Sequence, residues 1–187
     1  MPGINEFERQ LVHINLGLAC LLMLALLGRT ASTLVVSATL VAGMAIMHLK
    51  MRGERIPLVD PLIDRFERTH TVPGYGSLWY NVGVLLTFAL LVNEAHIASA
   101  LIILALGDGM STIIGSMHGT HRIFYNRTKT WEGVLAFIVF SAPAIIFTGW
   151  LGLLAIVLAA LIETLPLKID DNLAIPLACV AVFRILA

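Results

Sequence analysis

Seven apolar stretches govern what this 187-residue chain can fold into, because most approach the roughly 17 to 25 residues a helix needs to cross about 30 Å of hydrocarbon. They lie at 10–28, 31–49, 77–93, 96–117, 130–149, 150–165 and 172–187. The last two are short, so six crossings compete with seven. With 58% hydrophobic residues, 13% charged and a mean hydropathy of +0.90, the chain carries more apolar surface than one soluble core of this length can hide. Lipid solvates such surface without a core. The expected fold is all-α, a polytopic integral membrane helix bundle in a single membrane-embedded domain over 1–187.

Twelve basic residues balance twelve acidic ones, which removes the positive excess that binding to nucleic acid requires. Cys20 and Cys179 both fall within apolar runs, so neither a disulfide framework nor a thiolate metal site is expected. The opening MPGINEFERQ lacks a basic n-region, so the first apolar run reads as a retained helix. Two longer polar stretches interrupt the pattern, at 50–76 and 118–129. In the first, Ile56, Val59, Leu62, Ile63 and Phe66 recur at near-helical spacing, as in an amphipathic helix lying among lipid headgroups.

Threading seven crossings places Arg9, Lys50, Arg52, Arg55, Arg65, Arg68, Arg122, Arg127, Lys129 and Lys168 on one face and only Arg29 and Arg184 on the other. That asymmetry makes the first face cytoplasmic. Glu94 is the one acid on the far side.

Charged groups at membrane depth persist mainly where they face protein, water or substrate. Asp108 is the deepest, in ALGDGMSTIIGSMHG. Gly107, Gly109 and Gly115 around it permit either close helix packing or close approach of a ligand, and an acid beside them suits a divalent cation. Further on, Arg127 and Lys129 precede a helix that Thr130 is placed to cap, which makes an anion site; Arg122 reads as interfacial anchoring. Glu132, in the first turn, either favours the helix dipole, completes a metal site or fixes Lys129. In ETLPLKIDDN, a cap accounts for one of Asp170, Asp171 and Asn172, and leaves unexplained the second acid and Glu163 inside an apolar run. His13 follows Arg9 by one helical turn at the same layer. His118 and His121 lack the further ligands that zinc needs.

Taken together, GDGMSTIIGSMHGTHRIFYNRTKTWEG, ETLPLKIDDNLAIPL and, more weakly, ERQLVHINLG resemble the CTP-dependent membrane lipid kinases that include dolichol kinase and phytol kinase. Phosphatidate cytidylyltransferases are more distantly similar. Ser116 and Thr120 stand where that pattern has basic side chains. The resemblance implies transfer of the CTP γ-phosphate to the hydroxyl of a long polyprenol- or dolichol-like alcohol drawn from the bilayer, giving lipid phosphate and CDP. It implies Mg2+ on Asp108 and on Asp170 or Asp171, phosphates on Lys129 and Arg127, and orienting roles for Asn172 and Glu132. A general base is open between the Asp pair and His13. A cytidylyltransferase would use the same nucleotide but release pyrophosphate. A small transporter would need a polar path to both faces.

Overall fold

Gly28 decides how the N-terminal third of the chain folds. Helix α1 (Glu6–Met51) runs for 46 residues and is broken only there, at φ 71° and ψ 174°, a conformation that a side chain disfavours. The break frees backbone amides, and Arg29 N donates to Glu94 Oε1 at 3.1 Å. The Arg29 guanidinium in turn donates to the carbonyls of Phe88 and Ala89. The arginine and the acid expected on the far side are thus one polar knot. The two halves of α1 match the expected segments 10–28 and 31–49.

The computed structural model describes residues 6–66 and 74–187. After α1 come α2 (Asp60–Phe66), α3 (Tyr75–Leu90) and α4 (Glu94–Ile102), with Asn93 capping α4 through the amide of Ala95. A π-helical segment, Ile103–Asp108, joins α4 to α5 (Gly109–His118). A hairpin, β1 (Arg122–Ile123) and β2 (Asn126–Thr130), leads into α6 (Trp131–Ser141), α7 (Ala144–Thr148), α8 (Trp150–Thr164) and α9 (Asp171–Ile185). The α4 segment and the π turn are the centre: Ile97, Leu101, Ile103 and Leu104 are buried against Phe88, Phe137, Ile156 and Ile175.

Along α1 the buried positions are Gln10, His13, Gly17, Leu24, Ser32 and Val36, a helical stripe that is largely polar or small. Leu22, Leu26 and Leu34 point outward. A polar or small face turned inward with leucines outside reverses the soluble pattern and fits lipid as solvent. Glu6–Met51 and Glu94–His118 are long and apolar enough to cross a membrane. The other apolar helices are shorter, at 16 residues for α3 and 15 for α8 and α9, and the expected segment 130–149 is divided between α6 of 11 residues and α7 of 5, so among the described residues only two helices have the length of a crossing.

Two polar stretches fold differently from expectation. Of the amphipathic helix expected in 50–76, the described residues show α2, which starts only at Asp60, after the chain turns at Gly53 with φ 80° and Lys50 grips Asp60 at 2.7 Å. Residues 67–73, Arg68 included, lie outside the described residues. The 118–129 stretch carries the hairpin, with Arg122 opposite Thr130. Ile123, wholly buried, pins it to the bundle, while Asn126 Nδ2 donates to Thr164 O and Tyr125 Oη to Thr164 Oγ1.

Candidate active site

The hairpin, the start of α1, the π turn with α5, and the α8–α9 connection converge at one end of the bundle around a cavity of about 790 Å³. Two acids from separate elements meet there on one cation. Lys129 Nζ lies 3.1 Å from Glu163 Oε1 and 2.8 Å from Asp171 Oδ2. Glu163 is only 3% exposed and also accepts from the hydroxyl of Ser111, which explains why an acid is tolerated inside an apolar run. Burial pulls the Lys129 ammonium's pKa down, but the carboxylates of Glu163, Asp171 and Asp108 outweigh it and hold the group above the ordinary lysine range. Its charge therefore persists at every pH below the usual lysine value. Two of its three hydrogens face carboxylates, which leaves one for a further acceptor in the cavity.

Asp108, 6% exposed, lines the same cavity from the π turn. Its Oδ2 lies 3.6 Å from His13 Nε2, and that nitrogen is 3.0 Å from Leu104 O. A carbonyl only accepts, so Nε2 carries the hydrogen and Nδ1 is the nitrogen left to take a proton.

Asp170 is the N-cap of α9, its Oδ1 accepting from Asn172 N at 3.0 Å, so the capping role falls on Asp170 and not on Asp171. Thr130 caps α6 through Gly133 N, and both residues line the cavity. Gly115 lies on its wall. Gly107 and Gly109 do not: a Cβ at Gly107 would meet Ser141 Oγ at 2.3 Å, and one at Gly109 would meet Ile14 Cγ1 at 2.5 Å. Helices touch at both positions, whereas the sequence places them in the nucleotide site.

Two further expectations change. Arg127 is exposed and outside the cavity wall, whereas Arg122, read as an anchor, lines it. Along β2 it is Asn126, Thr128, Lys129 and Thr130 that line the cavity, while the Arg127 side chain lies exposed. Glu132 is also outside the wall. Its carboxylate takes the hydroxyl of Thr120 at 2.7 Å and contacts His121 Nδ1 at 2.6 Å, so it fastens the loop before the hairpin and touches neither Lys129 nor a metal position. Ser116 lines the cavity and Thr120 does not; the basic wall is made instead by Arg9, Arg122 and Lys129.

Sequence reasoning assigned no role to Gln10 or Ser111, both cavity-lining and buried. A polar side chain on the inward stripe of an apolar helix was the available signal. Among the described residues, no group of three or more His, Cys, Asp or Glu side chains is arranged to hold a metal ion alone. Yet Glu163 Oε2 and Asn172 Oδ1 are buried without a hydrogen-bond partner beside Asp108 and Asp171 on this wall. Such a set of hard oxygen donors fits a cation that takes one or two carboxylates and fills its shell from a phosphate ligand and water.

No family model matches the chain, and no solved structure matches it. It is 32% identical over 178 residues to the uncharacterized protein MJ1137 of Methanocaldococcus jannaschii, a match covering 92% of this chain and 90% of that protein. It is 30% identical over 194 residues to a chloroplastic farnesol kinase of Arabidopsis thaliana, and 28% identical over 203 residues to a probable phytol kinase 3 of Glycine max. These matches cover 92% and 97% of this chain but 63% of each plant protein.

Proposed function

Because the chain belongs to the same family as the archaeal protein MJ1137, and plant kinases of isoprenoid alcohols are among its relatives, we propose that it is a CTP-dependent kinase of isoprenoid alcohols. The observation that carries the reading is the convergence of Asp108, Asp171, Glu163 and Lys129 with Arg9 and Arg122 on one cavity. Acids for a divalent cation and bases for phosphates are what phosphoryl transfer asks of a protein, since its catalysis is mostly positioning and charge neutralisation. The helices assemble a bundle of about seven membrane segments with this cavity on the cytoplasmic side, where positive charge concentrates.

Lys129 offers its third hydrogen to the nucleotide phosphates, and Arg122 and Arg9 supply guanidinium forks along the same wall. The N-terminus of α6, behind Thr130, adds partial positive charge. Asp108 and Asp171 would hold Mg2+, and the unpartnered Asn172 and Glu163 oxygens are further donors on the same wall. The ion, when bound, neutralises charge on the phosphates. The acceptor hydroxyl oxygen forms a bond to the γ-phosphorus as the bond from that phosphorus to the β,γ-bridging oxygen breaks. CDP leaves with the electron pair, and the hydroxyl proton passes to a base, a role open between the Asp pair and His13. Farnesol and phytol are the first acceptors to test, with longer polyprenols and dolichol beside them.

The deciding experiment supplies purified protein with CTP labelled separately at the α and γ positions, with these alcohols and with phosphatidate. Label entering an alcohol from γ only supports the kinase. Label entering lipid from α, with pyrophosphate released, makes it a cytidylyltransferase.

A further inference from the structure

Resting on the kinase reading, we propose that the acceptor's hydrocarbon chain lies in an apolar groove between the second half of α1, α2 and α3, with its hydroxyl reaching the phosphate cavity past Arg9, His13 and Asn172. The groove encloses about 430 Å³ and is walled by residues such as Leu40, Gly43, Met47, Leu62 and Phe66. Among the described residues, no charged side chain lines it. Its polar members are few, and Thr39 Oγ1 and Asn81 Oδ1 satisfy each other at 3.2 Å. A nucleotide has nothing to bind there, whereas an isoprenoid chain matches the wall.

Continuity identifies the occupant. A smaller cavity of about 190 Å³ shares Val12, Phe66 and Ser77 with the groove, and Arg9, Asp170 and Asn172 with the phosphate cavity. His13 lines this passage. The three spaces form a series that turns from apolar to charged in the direction a lipid alcohol must point. Ion pairs hold α2 in place at both ends: Lys50 to Asp60 at 2.7 Å and Arg65 to Glu8 at 2.9 Å. From Thr39 to Met47 the groove follows α1 for two turns, about 12 Å.

Gly43 supplies the test, because a Cβ built there meets nothing within 4 Å and a larger side chain extends into the groove. Gly43→Phe should lower kcat/KM for a C20 alcohol at least tenfold, with a smaller loss for a C10 alcohol, while the KM for CTP moves less than twofold. Leu34→Phe, on an exposed part of α1 away from the groove, controls for a general effect of bulk at the lipid surface. Leu62→Trp narrows the groove from α2 and replaces the first variant should that one not fold. Chain-length preference that stays unchanged in the groove variants, or shifts equally in Leu34→Phe, overturns the proposal. Wild-type protein that phosphorylates no alcohol is a failure of the kinase reading instead. In that event a C15 alcohol carrying a terminal diazirine still decides the groove: cross-links confined to residues 39–47, 59–66 and 74–81 and competed by farnesol support it, and cross-links elsewhere refute it.

Discussion

At the residue scale the informative side chain is Lys129, whose charge is shared by Glu163 and Asp171. Removing a cation from such an arrangement leaves a buried carboxylate without compensation, at a cost of about 3–5 kcal/mol. Lys129→Met should therefore lower thermal stability strongly as well as activity. Adding Glu163→Gln should restore much of the stability and none of the activity, because the ammonium is still missing. A thermal-denaturation cycle over the four proteins measures this, and additive losses would mean that the pair is not coupled. The sequence showed Glu163 as an unexplained acid and Lys129 as a phosphate ligand, but not that one holds the other. Thirty-four residues separate them, and only the inward turn of β2 brings them together. Arg127 on the same strand stays exposed and outside the cavity, a difference that cannot be read while the stretch is taken for a loop.

Elements follow the apolar periodicity closely, and departures occur where a few polar contacts act. Segments 10–28 and 31–49 are one helix with a break because Gly28 adopts a positive φ and Glu94 takes the freed amide of Arg29. Gly28→Ala should destabilise the protein by roughly 1–2 kcal/mol through backbone strain. The KM for nucleotide should not change, since the break sits at the opposite end from the phosphate cavity. Thermal denaturation with parallel kinetics checks both, and a raised nucleotide KM would show that the two ends are linked. The π turn was not legible. A glycine-rich run reads equally as a packing face or a ligand loop, and the structure assigns Gly107 and Gly109 to packing and Gly115 to the cavity wall.

For the whole molecule, three of the four polar segments expected on one face, the N-terminus, 118–129 and 166–171, build the cavity; no described residue of the fourth, 50–76, lines it, and Arg29 and Glu94 meet away from it. Seven crossings with this cavity in the cytoplasm predict that cysteines at Arg65 and Arg127, with Cys20 and Cys179 replaced by Ala, react with an impermeant thiol reagent from the cytoplasmic side only. Labelling from the other side would invert the orientation.

The claim beneath all of these is that the acids gathered from the π turn and the start of α9 serve one phosphoryl transfer. The most direct measurement is transfer of label from γ-labelled CTP to farnesol by wild type, Asp108→Asn, Asp171→Asn and the double variant, with folding verified for each. If both acids act on one phosphate-bound ion, each single change cuts transfer by two or more orders of magnitude and the double variant is little worse than either. Small losses that multiply cleanly in the double variant, or transfer that survives Asp108→Asn at the wild-type rate, would contradict the account.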